Sequence, residues 1–167
     1  MCFLTGAKIA GLGLVVPARK GSVQPAGVDL SVSEVSVFSG GGALAGGKLV
    51  PGGRPLLPRS GVWRLGPGVY RVRFAEEVRV PRWAVGLCFP RSTLLRSGVF
   101  LGCAVWDPGY HGRGEALLAV LNPHGFALGV GERIAQIVFA RLCEEAESGY
   151  SGDYQGEGLV DSEGLEA

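Results

Sequence analysis

The chain has 167 residues, 47% of them hydrophobic and 19% charged, with 29 glycines and 10 prolines. This is enough apolar side chain for a core of its own, so a wholly disordered chain is excluded; glycine shows no three-residue period, which excludes collagen, and no apolar run reaches the ~18 residues of a membrane span. The net charge of +1 conceals an asymmetry: eight acids and no Lys or Arg follow Cys143, whereas sixteen cations, thirteen of them Arg, face seven acids before it.

In chain order, Thr5 is placed to cap a short helix over Thr5–Ala10. Runs rich in Val, Phe and Trp then predict strands over Leu12–Val16, Val28–Phe38, Val69–Phe74 and Trp83–Phe89. Residues 39–54, rich in Gly and carrying Lys48 and Arg54, read as a long loop or hairpin tip. A second short helix is predicted over Ser92–Ser97, with Ser92 as its cap and Gly98 ending it in a left-handed conformation. Strands follow over Val99–Trp106, Ala116–Leu121 and Arg133–Leu142. Many short strands and few helices predict an all-β fold: a sandwich, a jelly roll or a small barrel. The expected division is a β domain over 1–147 and an acidic tail over 148–167. The N-terminus lacks the order of a signal peptide, so a cytoplasmic protein is expected.

The four cysteines, Cys2, Cys88, Cys103 and Cys143, form no CxxC pair, and neither His111 nor His124 stands at zinc-like spacing from them. Buried free thiols are expected, without structural zinc. Gly42-Ala-Leu-Ala-Gly-Gly-Lys48 imitates a phosphate-binding loop. Leu49 replaces the Ser or Thr that would hold magnesium, and Pro51-Gly-Gly stands where a helix should run, so that reading is rejected.

Four segments concentrate chemistry. They are Gln24-Pro-Ala-Gly-Val-Asp29-Leu30, Pro90-Arg-Ser-Thr-Leu94, Val105-Trp-Asp107-Pro-Gly-Tyr110-His-Gly112 leading to Asn122, and Gly131-Glu-Arg-Ile-Ala-Gln136-Ile-Val-Phe139. In the second, a cation, two hydroxyls and a helix start coincide, which describes an anion site as well as it describes an ordinary capped helix. Only seven carboxylates precede residue 144. Asp107 is the best placed of them for acid–base work, at the end of an apolar run, although Asp-Pro-Gly is also a common turn.

Together, in this order, the four segments resemble the superfamily of dUTP pyrophosphatases (dUTPases) and dCTP deaminases. Ala26-Gly-Val-Asp-Leu30 is similar to the first dUTPase motif, with Gln24-Pro25 closer to the deaminase branch. Tyr150-Ser-Gly-Asp-Tyr-Gln-Gly156 is similar to that branch's C-terminal segment. The resemblance covers residues 24 to 156 and implies a distorted β-barrel or jelly roll, assembled as a homotrimer with sites at subunit interfaces. It implies that Arg91, Ser92, Thr93 and Gln136 hold phosphates; independently of it, helical spacing places Arg96 one turn from Ser92 as a second cation. The resemblance implies that Asp29 helps place Mg²⁺ through water, and that Tyr110 packs on the deoxyribose and disfavours a ribose 2′-hydroxyl. The backbone of Phe100–Ala104 would read the pyrimidine, and Tyr150, Tyr154 and Gln155 would close over the triphosphate.

Deaminases of this superfamily need a carboxylate as proton shuttle on the strand ending at the motif's Asn, and that position falls on Ala119. Glu115 shares its face but lies ~13 Å away on a regular strand. Alanine moves no proton. The expected activity is therefore Mg²⁺-dependent hydrolysis of dUTP to dUMP and pyrophosphate, with Asp107 orienting or activating the water. The alternatives are a dCTP deaminase, alone or bifunctional, and a silent deoxynucleotide-binding regulator. Neither a nucleic-acid nor a membrane partner is expected. Three features depart from the family pattern: Gly109 stands where typical trimeric dUTPases carry a second Asp, Arg113-Gly114 reads as an insertion, and Asp153 and Glu157 put acids where the deaminase branch tends to have Lys and Gln.

Overall fold

A computed structural model describes residues 2–159. Its organising element is the strand Gly27–Phe38, whose twelve residues exceed the usual ~3–10. Such length lets one strand serve two pairings. Residues 28–31 pair with Arg133–Arg141, whereas residues 32–36 pair with Gly68–Phe74, and the register shifts between Val32 and Glu34. The sheet turns at that irregularity. From one edge to the other it runs Cys2–Phe3, Arg133–Arg141, Gly27–Phe38, Gly68–Phe74, Glu115–Val120 and Val99–Gly102, all antiparallel; Ala84–Pro90 also pairs with Arg133–Arg141. The result is the expected all-β fold, a curled antiparallel sheet with two short helices.

The core follows from alternation with two breaks along Arg133–Arg141. Ile137 and Phe139 point inward and Gln136 and Val138 lie half-buried, but Ile134 and Ala135 are buried in succession, as are Phe139 and Ala140; the first pair has a visible cause. The register shift between Arg133 and Ala135 explains that pair, because a bulge turns two neighbours to one face. Phe74, Phe139, Leu30, Leu118 and Ile137 are fully buried, each contributing about 1.5–3 kcal/mol. The helix Gly6–Gly11, capped by the Thr5 hydroxyl accepting from the Lys8 amide, covers the start of the long strand and buries Ile9.

Several details differ from the sequence expectations. The short helix over Ser92–Arg96 has Arg91 as its N-cap, with no side-chain cap bond, so Ser92 is not the cap. Pro90 ends the preceding strand and Arg91, in extended conformation, takes the cap position, so Ser92 is already the first helical residue. Gly98 does end the helix with φ +71. The run Val99–Trp106 is broken after Gly102, and Leu12–Val16 shortens to Val15–Val16. Short strands at Val62–Leu65, Glu77–Arg79 and Phe126–Gly129 were not anticipated. Cys2 and Cys143 are exposed and only Cys88 and Cys103 are half-buried, all four free. Among the described residues no helix is long and apolar enough to cross a membrane. Of the tail, residues 160–167 lie outside the described residues.

Candidate functional site

The sequence-predicted residues fall into two groups. Three adjacent strands build the first. Asp29 faces Gln136 across one pairing, and Gln136 faces Phe89 across the next, so that Arg91 follows one step beyond Pro90. The Arg91 amide donates to the Ile134 carbonyl (3.0 Å), which fixes the strand end beside that row. Asp29 is buried, its side chain 2% exposed. Its Oδ2 accepts from Gln24 Nε2 at 3.1 Å and Arg133 Nη1 at 3.0 Å and lies 3.3 Å from Arg91 Nε. Burial pushes the Asp29 carboxyl up, and the two guanidinium groups and the Gln24 amide oppose it.

That donor set does not fit Mg²⁺. Two guanidinium groups already neutralise the carboxylate and repel a second cation, and its low exposure leaves no face for a hydrated ion. Among the described residues no group of three His, Cys, Asp or Glu side chains is placed to hold a metal ion. Asp29 instead aims Arg91 and Arg133. Ser92, Thr93 and Arg96 are exposed on the short helix, and Gln136 is half-buried with no side-chain partner among the described residues.

The second group surrounds a cavity of about 510 Å³ lined by Gly102, Ala104, Asp107, Tyr110, Tyr150 and Tyr154, among others. Tyr110 is its buried aromatic wall, 6% exposed, set edge-on to Trp106 (5.1 Å between ring centres) and to Tyr150 (5.8 Å). Its hydroxyl donates to Glu157 Oε1 at 2.9 Å, and burial raises its pKa. Burial likewise pushes the Glu157 carboxyl above its ordinary value, against the Tyr110 hydrogen bond. Asp107 is exposed at the cavity with no side-chain hydrogen bond or ion pair among the described residues. None of Asp29, Arg91, Ser92, Thr93, Arg96 and Gln136 lines this cavity.

The tail reaches the cavity through backbone contacts. The Tyr150 amide donates to the Pro108 carbonyl (2.7 Å), the Gly156 amide to the His111 carbonyl (2.8 Å) and the Arg113 amide to the Glu157 carbonyl (2.7 Å). Gln155 bridges, accepting from the His111 amide and donating to the Gly109 carbonyl, each at 3.0 Å. Two of the departures from the family pattern acquire a cause here. Gly109 has φ +87, and a Cβ on it would stand 2.6 Å from Gly149 Cα, so an Asp cannot occupy it while the tail is docked. The Arg113-Gly114 pair supplies the backbone amide that receives the tail at Glu157.

Three residues of these two groups were not among the sequence candidates. Arg133 joins Asp29 across 104 positions, and Glu157 and Glu115 line the cavity. Glu115 is engaged by Arg73 Nη2 at 2.7 Å and Arg71 Nε at 3.1 Å. The sequence singled out Glu157 only as a departure from the family pattern in an acid-rich tail, with no partner indicated. Ala119 faces Phe100 and Val69 across the sheet and does not line the cavity.

Comparison with known proteins agrees with this frame. A curated Aeropyrum pernix protein named "Probable deoxyuridine 5′-triphosphate nucleotidohydrolase" is 53% identical over 158 residues, 94% of this chain and 99% of its own. A Methanosarcina mazei protein of the same name is 42% identical over 139 residues, 81% of each chain. Among solved structures, the 2′-deoxycytidine 5′-triphosphate deaminase of Agrobacterium tumefaciens superposes with a TM-score of 0.62 at 20% identity, covering 82% of this chain and 48% of its own, so this chain spans about half its length. Native EIAV dUTPase superposes at 0.50 with 13% identity, covering 84% and 93%. At such identities these two likenesses speak for the fold alone. The family model described as dCTP deaminase-like matches residues 6–142, which contain all four motif segments and both halves of the site except the tail, and on that match and the 53% relative the chain belongs to the dCTP deaminase-like family.

Proposed function

We propose that the chain is a dUTP nucleotidohydrolase, converting dUTP and water to dUMP and pyrophosphate. The names of its 53% and 42% identical relatives support the reaction. In the site, one observation carries the reading: Asp107 is an exposed carboxylate at the cavity wall, free of side-chain partners among the described residues, beside the buried Tyr110 ring. A free carboxylate is what orienting or deprotonating a water requires. Tyr110 packs on the deoxyribose. Val99–Gly102 is the last strand of its sheet, so its outer edge offers unpaired backbone groups to a pyrimidine.

Arg91, Ser92, Thr93, Arg96 and Gln136 bind the phosphates. Because they line no part of the Asp107 cavity, the site is completed between copies in a homotrimer, one copy giving the phosphate group and its neighbour the nucleoside cavity. Asp29 is the anchor that holds Arg91 and Arg133 in place. The substrate is the Mg²⁺ complex of dUTP, the ion travelling on the phosphates. Tyr150, Tyr154 and Gln155 close the cavity. Deamination has no support: Ala119 carries no proton, and Glu115 is held by Arg71 and Arg73.

The test is Asp107→Asn. The expected result is a fall in turnover of about 10²–10⁴-fold with nucleotide binding and thermal stability retained. Normal turnover in that variant refutes the role of Asp107.

A further inference from the structure

We infer that Lys48 is a positioning residue of the site: the Gly-rich hairpin that carries it straps the tail across the mouth of the cavity. The inference rests on the reading of the cavity as the nucleotide site. It deepens that reading by adding a second segment to the closing device.

The tail cannot supply this charge itself. No Lys or Arg follows Arg141, while Asp153 and Glu157 both lie in the described part of the tail. The cation comes from a segment 105 positions earlier. Ala43–Leu44 and Lys48–Leu49 form a small antiparallel hairpin, which places Lys48 on its returning strand. From there Lys48 Nζ pairs with Asp153 Oδ2 and stands 5.3 Å from the centre of the Tyr154 ring. The residues flanking the hairpin belong to the same place. Phe38 and Val50 line the cavity together with Tyr150 and Tyr154.

The tail is therefore held at two sides. Its backbone bonds and the Gln155 bridge all run to Pro108–Arg113. The opposite side, Asp153 and Tyr154, has no side-chain partner except Lys48 among the described residues. An acid at 153 in a phosphate-binding tail would be unfavourable alone, and Lys48 neutralises it. Both charged side chains are substantially exposed, so ion pair and cation–π contact together shift the closed-to-open ratio by about three- to tenfold. That is too small to determine folding and large enough to set how often the Tyr154 ring covers the cavity.

The experiment compares wild type with Lys48→Ala, Lys48→Arg and the charge swap Lys48→Asp with Asp153→Lys. Amide hydrogen exchange over residues 150–156 is read without nucleotide, and kcat and KM for dUTP are read separately. Lys48→Ala is expected to speed exchange of the tail amides three- to tenfold and to raise KM with kcat changed less than twofold. Lys48→Arg is expected to stay close to wild type, and the swap, which restores the ion pair without the contact to Tyr154, to recover part of the loss. Tail exchange unchanged in Lys48→Ala overturns the strap, as does a loss confined to kcat with KM unmoved. Exchange that responds as expected in a protein that does not turn over dUTP upholds the strap and refutes the dUTPase reading, so the two failures are distinguishable.

Discussion

Replacing Gly109 with alanine asks whether tail docking is built into the backbone beneath it. At φ +87 an L-residue other than glycine sits in the left-handed region, at a cost of about 1–2 kcal/mol. The added Cβ would also meet Gly149 Cα at 2.6 Å and the Tyr150 nitrogen at 2.8 Å, both backbone atoms of the tail. Neither side has a flexible side chain that can swing away, so the contact is relieved by lifting the tail. A shift of about 1.4 kcal/mol is tenfold in an equilibrium constant, so the closed-to-open ratio falls at least about tenfold. The Tyr150 and Gly156 amides, which donate to Pro108 and His111, report this directly. Their hydrogen exchange is expected to accelerate by about the same factor, and KM for dUTP to rise, while exchange of the core amides in Arg133–Arg141 stays unchanged. Exchange and KM both equal to wild type would refute the docking account and leave the glycine at 109 unexplained by the tail.

Further expectations concern the two halves of the site. Arg91→Ala removes a charge-assisted contact worth about 1.5–3 kcal/mol to the phosphates, so KM for dUTP rises by about tenfold to a hundredfold; unchanged affinity would show that Arg91 does not bind phosphate. Burial raises Glu157 in the docked tail above its ordinary value of 4.5, so docking takes up a proton. Its contribution to docking is therefore fully present below that ordinary value and is lost as pH rises through the raised one. Tail exchange measured against pH should slow on acidification through that window in wild type and lose this dependence in Glu157→Gln; identical profiles would remove Glu157 from the account.

Legibility in the sequence followed the range of the interactions. Long runs such as Val28–Phe38 and Arg133–Leu142 were readable because β-branched and aromatic residues recur along about ten positions, and each observed strand differs from its run by one residue at one end. Val62–Leu65, Glu77–Arg79 and Phe126–Gly129 span three or four residues, too few for a period to declare itself. The motif residues were legible as types in order, but their grouping was not. Asp29, Gln136 and Arg91 meet through cross-strand register, and the Arg133 contact to Asp29 spans 104 positions. Asp29 read as a metal carboxylate from its motif alone, because nothing local reveals that two arginines will converge on it. Glu157 and Lys48 lie in segments of low complexity, where a charge reads as solvated until its partner is seen.

The most direct measurement incubates the purified protein with dUTP and with dCTP separately in the presence of Mg²⁺ and resolves the nucleotides by chromatography. The account predicts dUMP and pyrophosphate from dUTP, with dCTP unchanged. Conversion of dCTP to dUTP or dUMP with release of ammonia would contradict it, because a proton shuttle would then exist that Ala119 cannot provide. Binding of dUTP without turnover would contradict it as well, leaving a nucleotide-binding protein whose Asp107 does no chemistry.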